Sequence, residues 1–209
     1  MGESDIHYLL KEIGVALLLR KGCSPVGMEV RLPVWERARW SRMDMLLTRP
    51  DFVNDLQPST ISIADAAGIM WIHPELDNRN RSDRFRGIFA IEAKVSRSDF
   101  QRGFCTHGWN KLWLITPPGL LKPGEVPGGV GLYEYDADAG AVALKGKAAM
   151  RPFEPSDTAL KDIENTILWQ GYGRDIGRLY EDERIKKVLG GQQVIDANDA
   201  NDTKPKETE

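Results

Sequence analysis

The run Gly87–Ser96, GIFAIEAKVS, constrains this chain more than any other segment, because it is the strongest strand signal in the sequence and yet carries two charges. Side chains alternate across a strand, so Phe89, Ile91, Ala93 and Val95 form one uninterrupted apolar face. Ile88, Ala90, Glu92 and Lys94 share the other, with Glu92 and Lys94 about 7 Å apart along the strand. A Glu and a Lys in a core strand incur desolvation unless they are paired, bound to metal or placed at the mouth of a cleft. The bland reading is an exposed ion pair at a strand end.

A second acid interrupts another apolar strand. In RWSRMDMLLTRP, Met43, Met45 and Leu47 alternate with Arg42, Asp44 and Leu46 over a strand from Ser41 to Thr48. An Asp and a Glu on adjacent strands, with a Lys two positions after the Glu, suit metal-assisted phosphodiester hydrolysis. Carboxylates hold Mg²⁺ (or Mn²⁺), the metal polarises the phosphate and acidifies a water, and the ammonium orients that water or stabilises developing charge.

The remaining pattern is that of an α/β chain. Ser4 is an N-cap before Ile6, Leu9, Leu10, Ile13, Leu17 and Leu18 at helical spacing. A short strand follows over Gly27–Val34. The strand Ile88–Val95, a short helix from Ser96 and the strand Lys111–Thr116 form a crossover unit that favours parallel pairing. Val130–Tyr135 and Ala141–Lys145 flank DADAG as a hairpin, and two amphipathic helices follow, one from Ser156 and one over Asp175–Leu189. Residues 1–153 therefore form the core, with 49–87 as an insertion in which only Gly68–His73 reads as a strand. Residues 154–189 are a helical extension that covers the core or mediates self-association as a homo-oligomer. The polar 190–209 stretch is expected to be a disordered tail.

Charge bears on partners. The formal net charge is −3, but Arg20–Arg42 and Arg79–Arg102 each carry a local balance of +4, while Glu181–Glu209 holds eight acids against five bases. Two basic segments on an acidic background suit a phosphate-facing surface, here DNA. Arg37, Arg39 and Arg42, interleaved with Trp35 and Trp40, together with Arg97 and Arg102, are the candidate DNA-binding residues. A solvated Arg-rich surface is the alternative. The longest early apolar stretch, Val15–Leu19, is far short of the roughly 20 residues of a membrane span, and no basic leader precedes it, so a cytoplasmic location is expected. Cys23 and Cys105 are read as ordinary thiols, and neither His7 nor His107 is needed by the chemistry.

RMDML followed by AIEAK resembles the PD-(D/E)XK nuclease superfamily, whose motif is an Asp on one strand and Glu-x-Lys on the next. RMDMLLTRP, IEAKVSRSDF and NKLWLITPPGLLKPGEVPGGVGLYEYD look, more narrowly, like the MmcB-like DNA-repair proteins of that superfamily. The resemblance implies a restriction-endonuclease-like fold with a mixed central sheet of four or five strands flanked by helices. It also implies Asp44 and Glu92 as metal ligands, Lys94 as the catalytic lysine, and a metal-dependent DNA nuclease, in repair or in a mobile-element context. Members often place a further acid on the first helix, which makes Glu12 a candidate ligand; Glu29, on the strand that follows, is another. Asp99 is expected to lock the helix after the Glu-x-Lys strand. The rival reading is a catalytically silent nuclease fold that binds DNA or docks a partner.

Overall fold

The computed structural model describes residues 4–31, 63–72, 84–104, 108–151, 155–173, 181–190 and 194–196. Ser4 opens helix α1 (Asp5–Arg20) by accepting a hydrogen bond from the His7 N–H at 3.3 Å. The helix stops where Gly22, at φ +89°, turns left-handed and the Cys23 N–H closes back on the Leu18 carbonyl. Strands β1 (Val26–Arg31), β2 (Ile63–Ile72) and β3 (Phe85–Ala93) then form an antiparallel meander. Helix α2 (Arg97–Gln101) follows, and β4 (Lys111–Thr116) returns parallel to β3, the pairing expected from the crossover.

A 3-10 turn, Pro123–Glu125, precedes β5 (Gly131–Asp136), parallel to β4, and a tight turn leads to the antiparallel β6 (Ala141–Gly146). Helices α3 (Asp157–Gly173) and α4 (Glu183–Leu189) follow, and the three-residue β7 (Val194–Asp196) adds in parallel to β6. Strand order in the sheet is chain order, so this is an α/β fold built on six longer strands and a short seventh, flanked by helices.

Each face of the sheet has its own core. Under α1 and α4 lie Leu10, Ile13, Ala66, Phe89, Ile91, Trp113 and Ile185, while under α3 lie Ala67, Ile69, Ile88, Trp109, Leu114 and Ile163. Trp109 and Trp113 are thus packing residues on opposite faces. The crossover is pinned by Asn110, fully buried, whose backbone N–H donates to the Ile88 carbonyl while its side-chain oxygen accepts from the Ile88 N–H, both at 2.7 Å. On α3, Leu168 and Trp169 remain at the surface. Among the described residues, no helix is long and apolar enough to cross a membrane.

Two expectations change, and one lies outside the described residues. The stretch 49–87 is not an insertion beside the sheet, because β2 lies within it and pairs on both edges, with β1 and with β3. Secondly, β3 is flanked by β2 and β4, and the strand expected over Ser41–Thr48, with Asp44, lies outside the described residues. Thirdly, the 190–209 stretch, expected to be disordered, contributes β7 to the sheet, which is wider than the four or five strands anticipated.

Close approach of β2 to the turn after α1 depends on Gly68. A Cβ there would sit 2.8 Å from Val26 Cγ2, 2.9 Å from Cys23 Cβ and 3.0 Å from the Pro25 carbonyl oxygen. The backbone atom cannot move aside as a side chain can, so Gly68→Ala should cost about 1–3 kcal/mol by overpacking, measured by urea denaturation.

Candidate active site

At one end of the sheet the strands part. Continuing the register of Ala66↔Ile91 sets Asp65 opposite Glu92, and that of Met28↔Ala66 and Val30↔Ala64 sets Glu29 opposite Asp65. Three acids from three neighbouring strands therefore share one row. Face alternation breaks here. Met28 and Ala66 pack under α1, yet Val30 and Ala64, two residues away along the same strands, pack under α3. Glu29 is where β1 turns over, with φ +51°, a left-handed conformation rare for a residue with a Cβ. Its carboxylate consequently meets Lys11 of α1, with Oε1 3.1 Å from Nζ.

Asp65 is held from several sides. Its Oδ2 accepts the Ala93 N–H at 2.8 Å and lies 3.5 Å from His7 Nε2, while Oδ1 is 3.3 Å from Lys11 Nζ. His7 and Lys11 are four residues apart on α1 and so share a face. Burial, the largest single influence, works to raise the Asp65 pKa, but the adjacent His7 imidazole, the Lys11 charge and the Ala93 N–H together hold it below the usual carboxylate range.

Glu92 has the opposite balance. Burial first, and then the neighbouring Asp65 charge, push it up to about 7, against the lowering influence of Lys94 and of the Asp65 backbone N–H. Lys94, 5% exposed, donates to Glu92 Oε1 at 3.3 Å and to the Gly103 carbonyl at 3.1 Å, with Asp99 Oδ1 at 3.8 Å and the Phe104 ring beneath. Asp99 also fixes α2, as expected. Its N–H donates to the N-cap Ser96 Oγ, and its Oδ2 accepts from the Val95 N–H.

The structure thus brings Glu92, Lys94 and Glu29 together and adds Asp65, Lys11 and His7. Glu12 does not join them: it lies with Tyr8, Asp182 and Arg184 along a cleft of about 620 Å³ between α1 and α4, where burial and then Asp182 raise its pKa. Arg97 forms a two-pronged ion pair with Glu125 at 2.8 and 3.0 Å, so its charge is already met by a carboxylate. Arg102 is exposed at the end of α2. Arg37, Arg39 and Arg42 lie outside the described residues.

The signal for Asp65 was present in IADAAGI, a lone acid in an apolar run, the same signal that singled out Asp44. For Lys11 and His7 it was their i, i+4 spacing beside the apolar stripe of α1. Among the described residues no three of His, Cys, Asp and Glu converge as a group that could hold a metal ion.

The Glu92 shift predicts an inverted pH dependence. Between the ordinary value of 4.5 and about 7 the folded chain keeps a proton that the unfolded chain has released, so this group makes stability fall as pH rises through that window. Glu92→Gln, which resembles the protonated acid, should stabilise the metal-free protein at pH 8 by roughly 3 kcal/mol. The gain should vanish below about pH 4.5 in denaturation curves taken across pH.

No family model matches this chain, and no curated protein does. A solved structure, that of the SPO1766 protein of unknown function from Silicibacter pomeroyi, is similar to it, with a TM-score of 0.36 and 19% identity over 57% of this chain and 71% of that one.

Proposed function

We propose that this chain is a metal-dependent nuclease that hydrolyses phosphodiester bonds in DNA, with Asp65, Glu92 and Lys94 as its reacting set and a restriction-endonuclease-like core. The observation that carries this reading is an Asp on β2 and a Glu-x-Lys on β3, neighbouring strands, meeting at the parted end of the sheet. The order of these residues supports the PD-(D/E)XK reading, with Asp65 in place of Asp44.

The residues fit a hard divalent cation. Their donors are carboxylate oxygens. The carboxylates of Glu29, Asp65, Glu92 and Asp99 face the ammonium groups of Lys11 and Lys94. Asp65 and Glu92 would hold the ion, and it would relieve the like-charge repulsion that raises Glu92. Bound there, Mg²⁺ or Mn²⁺ would supply Lewis-acid stabilisation of charge on the scissile phosphate.

The chain's own groups do the rest. An ammonium has three donors, and Glu92 and Gly103 take two from Lys94, which leaves one for an attacking water or a phosphate oxygen. Because Asp99, Gly103 and Phe104 fix that ammonium, its aim is set before substrate arrives. Arg102, exposed on α2, is available to the DNA backbone, and Arg97 becomes so if Glu125 yields.

A catalytically silent DNA-binding or partner-docking module is the second reading. The observation in its favour is that Lys11 and Lys94 already compensate the acids, so the cluster can serve structure alone.

Mn²⁺ calorimetry and cleavage of single-stranded, duplex and branched DNA separate the two. Asp65→Ala should lose metal binding and cleavage together, while Lys94→Met should keep the metal and lose about 10²- to 10³-fold in rate. If Asp44→Ala abolishes both properties and Asp65→Ala spares them, Asp44 is the ligand. If the unaltered chain binds DNA but neither binds Mn²⁺ nor cleaves, the module reading stands.

A further inference from the structure

Arg97 opens α2 just beyond Lys94 and reaches across to a distant part of the chain, the 3-10 turn Pro123–Glu125. Its guanidinium meets Glu125 in a two-pronged contact, with Nη1 donating to Oε1 at 2.8 Å and Nη2 donating to Oε2 at 3.0 Å. Parallel donors in that fork fit a carboxylate and a phosphate group alike. Unlike the buried Lys94 ammonium, this pair stands in water, with side chains 53% and 36% exposed. An exposed ion pair of this kind is weakly held and open to exchange. Glu125 also has other supports. Its Oε2 accepts the Lys122 N–H at 2.8 Å, and the Arg97 contact first and then that N–H hold its carboxyl down to about 2. The Lys122 charge acts on it as well, so the carboxylate keeps compensation when Arg97 leaves it.

Resting on the nuclease reading above, we propose that Arg97 is a seat for a DNA backbone phosphate and that Glu125 is its internal occupant, a carboxylate that the substrate displaces. The exchange is balanced in charge, because a phosphodiester and a carboxylate each carry one negative charge. It also takes place on the element that serves the reacting set. Arg97 begins the helix that carries Asp99, and Gly103 follows directly after that helix; these two residues hold the Lys94 ammonium. A phosphate seated on Arg97 therefore ties the DNA to the same short helix that aims Lys94. Glu125 is a competitor in this arrangement. It occupies the guanidinium until a backbone phosphate arrives in the same two-pronged geometry, and so it weakens DNA binding through Arg97 specifically.

Binding of fluorescein-labelled duplex and single-stranded DNA to the full chain, read by polarisation at low ionic strength with metal chelated, tests this without cleavage. Glu125→Asp keeps the charge but shortens the side chain by a methylene and breaks the two-pronged contact. It should tighten binding roughly two- to fivefold, the scale of one exposed ion pair. Glu125→Gln, which keeps an oxygen for the Lys122 N–H, should tighten it at least as much. In an Arg97→Ala background, itself weaker for DNA, Glu125→Asp should change nothing. Unchanged or weaker binding by Glu125→Asp, or an equal gain from it when Arg97 is absent, overturns the role of Glu125 while leaving DNA recognition in place. If the unaltered chain and both Glu125 variants bind no DNA, the DNA reading falls and this inference with it.

Discussion

Two carboxylates brought side by side out of water repel each other, and each also loses its hydration, so the surrounding chain must be arranged to compensate them. Asp65 and Glu92 create that demand where β2 and β3 separate, and neighbouring elements answer it. Helix α1 supplies Lys11 and His7 to Asp65, the strand end supplies the Ala93 N–H, and Lys94 reaches Glu92 from two residues further on. The compensation is unequal. Asp65 stays below the usual carboxylate range, whereas Glu92 rises to about 7. Such separation of two neighbouring acids into different protonation regimes is a feature of chemical sites, although ion-pair networks in purely structural settings also produce it.

Packing elsewhere serves the same end. Ala66 and Gly14 let α1 lie close to β2, since a Cβ on Gly14 would meet Ala66 Cβ and Ile91 Cγ2 at 3.3 Å. That closeness brings the long Lys11 side chain to Asp65 rather than to solvent. On the other flank the Ser96 and Asp99 capping pair fixes α2 directly after Lys94, and the Gly103 carbonyl beyond that helix holds the ammonium. The site is thus clamped between a long helix and a very short one, with strands at its floor.

Much of the fold was legible, and what was missed has a physical cause. β3, β4, β5 and β6 announce themselves by β-branched and aromatic residues bounded by turns. β2 does so only from Gly68 on: Ala64, Ala66 and Ala67 have weak strand propensity, and a strand buried on both faces loses its alternation. The start of β2 was thereby hidden, and Asp65 with it, while Asp44 lies in a segment that reads more clearly as a strand. Glu92 and Lys94 were readable because charge in an apolar strand needs an explanation. Glu12 lies apart from the cluster because α4 covers that flank of α1, a packing choice no local pattern encodes. Glu29 joins the row only because β1 turns over there, which spacing alone does not specify.

The central claim is that Asp65 and Glu92, on neighbouring strands, form a single cation-binding pair beside Lys94. Anomalous diffraction from crystals of the full chain grown with Mn²⁺ tests it most directly. The account predicts a peak within ligand distance of both the Asp65 and the Glu92 carboxylates, with Lys94 still on the Glu92 side. A peak at Asp44 and away from Asp65, or Mn²⁺ bound only outside this cluster, would contradict it.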